Sequence, residues 1–141
     1  MEEAEEIDFA GGIQAFESKH FSRAMQILSP LAEKGYADAQ HRVAIMCQNG
    51  LGVVESPESA FKWMKAAAEQ GHAVAQHGLG FMYMEGDCVE QNGELAVEWF
   101  TKAAEQGLAG SQTTLAMMYE QGAVIEKDEK KAAEWYKKAG F

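Results

Sequence analysis

Along residues 73–85 the side chains Ala75, Leu79, Met82 and Tyr83 follow one another at spacings of four, three and one. This places them on one face of a helix with 3.6 residues per turn. Over residues 93–106, Leu95, Ala96, Trp99, Phe100, Ala103 and Ala104 form a second stripe, with charged residues on the other side. The same two patterns alternate along the chain. They predict helix pairs over roughly 37–48 and 57–70, 73–85 and 93–106, and 109–121 and 129–139. Alanine recurs at fixed places in both patterns, and small side chains let helix axes approach closely. Punctuation agrees with the periodicity. Ser56 precedes Pro57 as a cap before a first-turn proline, and Asn92 and Asp128 hold the same place in the later pairs. Gly35, Gly71 and Gly107 fall where each second helix has to stop.

The pattern repeats at an offset of 36 residues: Gln40, Gln76 and Gln112; Gly50, Gly86 and Gly122; Ala60, Ala96 and Ala132; Trp63, Trp99 and Trp135. A period of this length marks stacked supersecondary units, each unable to bury its apolar face alone. The opening segment is a variant, in which Ala24 aligns with Ala60 and Ile27 takes the place of Trp63 across a shorter connector. It predicts helices over 8–18 and 21–33 around a tight turn at Lys19-His20, with residues 1–6 as a flexible acidic lead-in. The expected fold is all-α. It is an α-solenoid, a right-handed superhelix of about four antiparallel helix pairs, within one domain spanning 1–141. Its parts are a helix pair at 7–35 and repeats at 36–71, 72–107 and 108–141.

Composition narrows the function. With 47% hydrophobic residues there is material for a continuous core. A net charge of −10 would repel nucleic acid and anionic membrane, so neither is expected as a partner. Much of that charge lies in Glu2, Glu3, Glu5, Glu6 and Asp8. No signal peptide is visible, and a complete chain of this kind is expected in the cytoplasm. Cys47 and Cys88 are 41 residues apart, off the repeat period, and are expected as free thiols.

Leu79-Gly80-x-x-Tyr83-x-x-Gly86, Ala96-x-x-Trp99 and Lys102-Ala103-Ala104-x-x-Gly107 together resemble the Sel1-like repeat. The other units match as Val43-Ala44, Gly50-Leu51-Gly52-Val53 and Ala60-x-x-Trp63, and as Leu115-Ala116, Tyr119, Gly122 and Ala132-x-x-Trp135. The opening pair is more similar to a tetratricopeptide repeat. There are departures: the family's tyrosine is Cys47 in the first full unit, and its second loop glycine is Cys88 and then Val124. The resemblance implies an adaptor or scaffold that binds proteins or peptides, often in bacterial signalling, secretion or envelope processes. It implies no particular chemistry and no cofactor.

In stacked hairpins the first helix of each pair lines the concave surface. Positions outside the core stripe there are the candidate partner-binding residues. They are Ile13 and Phe16 in the opening pair; Asp38, His41, Ile45 and Gln48; Val74, His77, Phe81 and Met84; and Thr113, Met117 and Glu120. Ile13, Ile45, Phe81 and Met117 would form an apolar line beside His41 and His77, with acids at the rim. Exposed, such a line marks an interaction site; under tight curvature it would instead be buried between first helices. An exposed groove suits a protein or peptide segment, amphipathic or extended, with basic flanks.

Other chemistry has little support. Ser59-Ala60-Phe61-Lys62 satisfies S-x-x-K, but no S-D-N or K-T-G accompanies it, and the repeat places Leu95 and Lys131 at the serine position. A hydrolase of the penicillin-binding type is the third reading. His20, His41, His72 and His77 lack partners for a tetrahedral metal set, and no metal is expected. The three tryptophans are expected in the core, as are Met46, Met82 and Met118. Met84 and Met117 are expected as adaptable groove contacts. Lysines on the second helices predict a relatively basic outer face. A non-enzymatic interaction module is thus the first expectation, monomeric with weak self-association at most. The second is a structural unit that assembles through its open last repeat, after Gly140-Phe141.

Overall fold

A computed structural model describes residues 1–141 as eight helices and no strands. These are α1 (Glu3–Glu17), α2 (Phe21–Glu33), α3 (Ala37–Asn49), α4 (Pro57–Glu69), α5 (Ala73–Glu85), α6 (Gly93–Glu105), α7 (Ala109–Gln121) and α8 (Glu129–Lys138). From α2 onward the bounds agree with the sequence pattern to within a residue, because the stop and start chemistry is local. Ser56, Asn92 and Asp128 each accept the backbone N–H three residues ahead, at 3.2, 3.0 and 3.0 Å. The second helices end on Gly35, Gly71, Gly107 and Gly140, all with φ between 91° and 99°, a region costly for a residue with a Cβ. In the opening pair Lys19 itself takes φ 64°, at the expected tight turn.

The first helix departs from expectation. It begins at Glu3 rather than Asp8, so the supposed flexible lead-in over 1–6 forms its first turn. The cause is Glu5. Its carboxylate is buried, accepts from Lys34 Nζ at 2.7 Å and from Tyr36 Oη at 2.8 Å, and accepts the Glu2 backbone N–H at 3.2 Å.

The chain divides into two compact units, 1–72 and 73–141. In the first, α1 packs on α2, α2 on α3, and α3 on α4. Leu28, Met46 and Met64 fill its core among the fully enclosed Ala24, Ala39, Ala44, Ala60 and Ala67. In the second, α5 packs on α6, α6 on α7, and α7 on α8. Leu79, Met82, Phe100, Leu115 and Met118 form its core with Ala75, Ala96, Ala103 and Ala116. Met46, Met82 and Met118 are therefore core residues, as expected.

The tryptophans are not. Trp63, Trp99 and Trp135 are only half-buried, and each carries a lysine on its ring: Lys62 at 4.7 Å, Lys102 at 4.7 Å and Lys138 at 4.4 Å. The position one residue later is the one that enters the core, as Met64 and Phe100. Each indole thus flanks the core and is shielded from water by a lysine stem. No helix is long and apolar enough to cross a membrane.

Candidate functional site

None of the thirteen candidate residues is buried. Asp38, Val74, Phe81, Met117 and Glu120 are exposed; Ile13, Phe16, His41, Ile45, Gln48, His77, Met84 and Thr113 are half-buried.

In the 1–72 unit several of these side chains are engaged by neighbours outside the candidate set. The Phe16 ring meets Phe21 edge-on at 5.6 Å and carries the Arg42 guanidinium at 5.1 Å. His41 lies against the His72 ring at 4.8 Å, and His72 Nε2 is 2.7 Å from Asp38 Oδ1. Burial, reinforced by the charges of His72 and Arg42, pushes the His41 imidazole down to about 4, with Asp38 acting in the opposite sense. In the sequence His72 stands out only as one of four histidines without a metal set. Its pairing with Asp38, 34 residues away, carries no local signal.

In the 73–141 unit the candidates converge. Phe81, Met84 and Met117 line one cavity of about 440 Å³, together with Glu85, Gln91, Thr114, Met118, Gln121, Ala123 and Val124. Phe81 is 39% and Met117 43% exposed, while Met118 beneath them is 6% exposed. Phe81 is held from behind, edge-on to Phe100 at 5.3 Å and to His77 at 5.0 Å. His77 Nδ1 sits 2.7 Å from the hydroxyl of Ser111, a fully enclosed residue of α7. Burial lowers the His77 pKa, which favours the neutral ring in this apolar setting. A Cβ on Gly80 would lie 2.8 Å from Phe100, so the glycine is what lets that ring reach Phe81.

Among the lining residues that the sequence reading did not place in the groove are Gln91, Thr114 and Val124. Gln91 donates to the Met84 carbonyl at 2.8 Å and so ties the loop after α5 to the cavity wall. Val124 stands where the repeat pattern expects a glycine, and that departure was the available signal. Val74, Thr113 and Glu120 do not line the cavity; Glu120 instead accepts from Tyr136 Oη at 3.3 Å.

The serine–lysine motif is differently occupied. The Ser59 N–H is taken by the Ser56 cap, and Lys62 lies over the Trp63 ring. What the candidate positions offer is a surface of apolar walls with an acidic and amide rim.

The Sel1 repeat model matches residues 37–72, 73–108 and 109–140. A Sel1 repeat protein from Oxalobacter formigenes superposes with a TM-score of 0.85 at 33% identity, over 94% of this chain and 53% of its own. A protective antigen of uropathogenic Escherichia coli strains with an SLR fold gives 0.90 at 32% identity, over 96% of this chain and 30% of its own. A Pseudomonas aeruginosa protein, 17% identical, shares the fold at a TM-score of 0.51, over 99% of this chain and 66% of its own. This chain thus spans about half the length of the first of these and under a third of the second. Among curated proteins none matches significantly. With three contiguous matches from 37 to 140, the chain belongs to the Sel1 repeat family and is an all-α helical-repeat solenoid.

Proposed function

We propose that this chain is a non-enzymatic interaction module. It binds a segment of another protein on the sides of α5 and α7 that carry Phe81 and Met117. Sel1 repeat proteins are in general protein-interaction modules, which supports the class. The observation that carries the reading is the joint exposure of Phe81 and Met117 on one cavity. Large apolar side chains left in water around a concavity are the usual mark of a recognition surface. The acidic balance of the chain favours a partner with basic residues beside its apolar ones.

The test uses the chain as bait in parallel with Phe81→Ala and Met117→Gln, two variants at exposed sites. A partner retained by the parent and released by both variants, whose circular dichroism is unchanged, supports the reading. Equal retention by all three chains places recognition on another surface. Sedimentation of the bait at several concentrations tells a foreign partner from a further copy of the chain.

A further inference from the structure

The geometry points to a more specific feature, which rests on the reading above. We infer that the cavity between α5 and α7 is an anchor site for one bulky apolar side chain, of the size of Leu, Met or Phe. That side chain belongs to a protein segment with lysine or arginine close to the anchor.

Size and wall chemistry come first. About 440 Å³ is within the range of ligand pockets and ample for a large side chain. One wall is rigid, because Phe81 is backed by Phe100 and His77 and has little freedom to lose on binding. The rest of the lining is adaptable: Met84, a turn further along α5, and Met117 on α7 have unbranched, polarizable side chains that reshape around different guests. On α7, Leu115 and Met118 are buried while Met117 is not, so its exposure is not a shortage of core space.

Charge selects the flanks. Neither α5 nor α7 contains a lysine or arginine, and none occurs anywhere from Ala73 to Thr101. Glu85 lines the cavity, and Asp87 and Glu90 follow it in the adjoining loop. Glu85 is the one charged group in the lining, and a carboxylate at the edge of a concave, low-dielectric site attracts cations and repels an acidic segment. Gln121 adds amide donors and an acceptor at the rim for the guest's backbone.

Short random peptides displayed on phage and selected against the full chain provide the probe, with isotope-labelled chain for NMR. The expected winners carry Leu, Met or Phe beside Lys or Arg, and they shift the amide signals of Phe81, Met117 and Val124. Changing the anchor to Ala lowers affinity about tenfold or more, as for a central hot-spot residue. Met117→Gln, at an exposed site, weakens binding to a similar degree. Glu85→Lys weakens it several-fold at low salt and less at high salt. Phe81→Leu keeps the wall apolar and controls for loss of fold. Peptides that shift other first-helix signals and ignore Met117→Gln overturn the anchor site and leave the interaction surface standing. Peptides that bind only the second helices, or a selection that recovers none, overturn both.

Discussion

Gln106 donates its side-chain amide to Oε1 of Gln76 at 2.9 Å. One repeat earlier, Gln70 makes the same bond to Gln40 at 2.8 Å, and donates to the Gly35 carbonyl as well. Gln40 in turn donates to the Ala32 carbonyl at 3.2 Å, so in the 1–72 unit one buried amide joins α2, α3 and α4. Gln112 repeats that second bond on Ala104 at 3.1 Å. Alanine-lined helices pack closely but offer little that fixes their register. The glutamines supply it, since a slipped register would leave buried amides without partners.

Gln106→Ala takes the amide donor away from the Gln76 oxygen, on a residue only 5% exposed. The expected loss is about 1–2 kcal/mol in urea unfolding. Glu105→Ala, one residue earlier and exposed, should stay within about 0.5 kcal/mol of the parent. Equal effects of the two substitutions would remove the register argument.

Lys34 occupies the place of Gln70 one repeat earlier, and its partner is Glu5, so in the first hairpin the same joint is ionic. The hydrogen bonds from Lys34, Tyr36 and the Glu2 backbone lower the Glu5 carboxyl from 4.5 to about 2. Below 4.5 the unfolded chain takes up a proton that the folded chain refuses. The contribution of Glu5 is therefore complete above that value and fades as pH falls toward 2. Thermal melts of the parent and Glu5→Gln should differ at neutral pH and converge in strong acid. A constant gap between the two curves would show that the charge is irrelevant.

His41 gives a second acid-sensitive window. Its pKa falls from 6.5 unfolded to about 4 folded, so between these values the unfolded state binds more protons. Stability is complete above the upper value and drops as pH falls through the window. His41→Gln should flatten the melting temperature against pH over that range. A slope that survives the substitution would show that His41 is not its source.

The helix bounds from α2 onward were legible because caps, glycine stops and the 3.6 period are written within a few residues of where they act. The start of α1 was not. Five acids without a nearby cation read as solvated chain, and the groups that order Glu5 lie 29 and 31 residues away. Repetition also misled at the tryptophans, since a residue that recurs to be covered by lysine looks like one that recurs to be buried. Within the site, Phe81, Met84 and Met117 followed from the repeat register. Gln91 and Val124 lie in connectors, where helical periodicity says nothing.

The contrast between Trp99 and Phe100 can be measured directly. Phe100 is fully enclosed, and Phe100→Ala should cost about 3–5 kcal/mol. Trp99 keeps one face under Lys102, so Trp99→Ala should cost only about 1–2 kcal/mol. A reversed order in chemical denaturation would restore the tryptophan to the core.

Gly80→Ala tests the support behind the anchor site. Its Cβ would stand 2.8 Å from Phe100 Cδ1 and 2.9 Å from two further ring atoms. The ring is fully enclosed and has no room to retreat, so overpacking should cost about 1–3 kcal/mol. That outweighs the gain from a better helix former, at most about 1 kcal/mol. Gly11→Ala shows the opposite sign: nothing lies within 4 Å of its Cβ, so the helical gain of roughly 0.5–1 kcal/mol should be realised. Because Phe100 also backs Phe81, Gly80→Ala should weaken the selected peptides while Gly11→Ala leaves their affinity unchanged. If Gly80→Ala lowers stability and binding stays at the parent level, Phe81 does not need Phe100 to hold its place in the cavity wall.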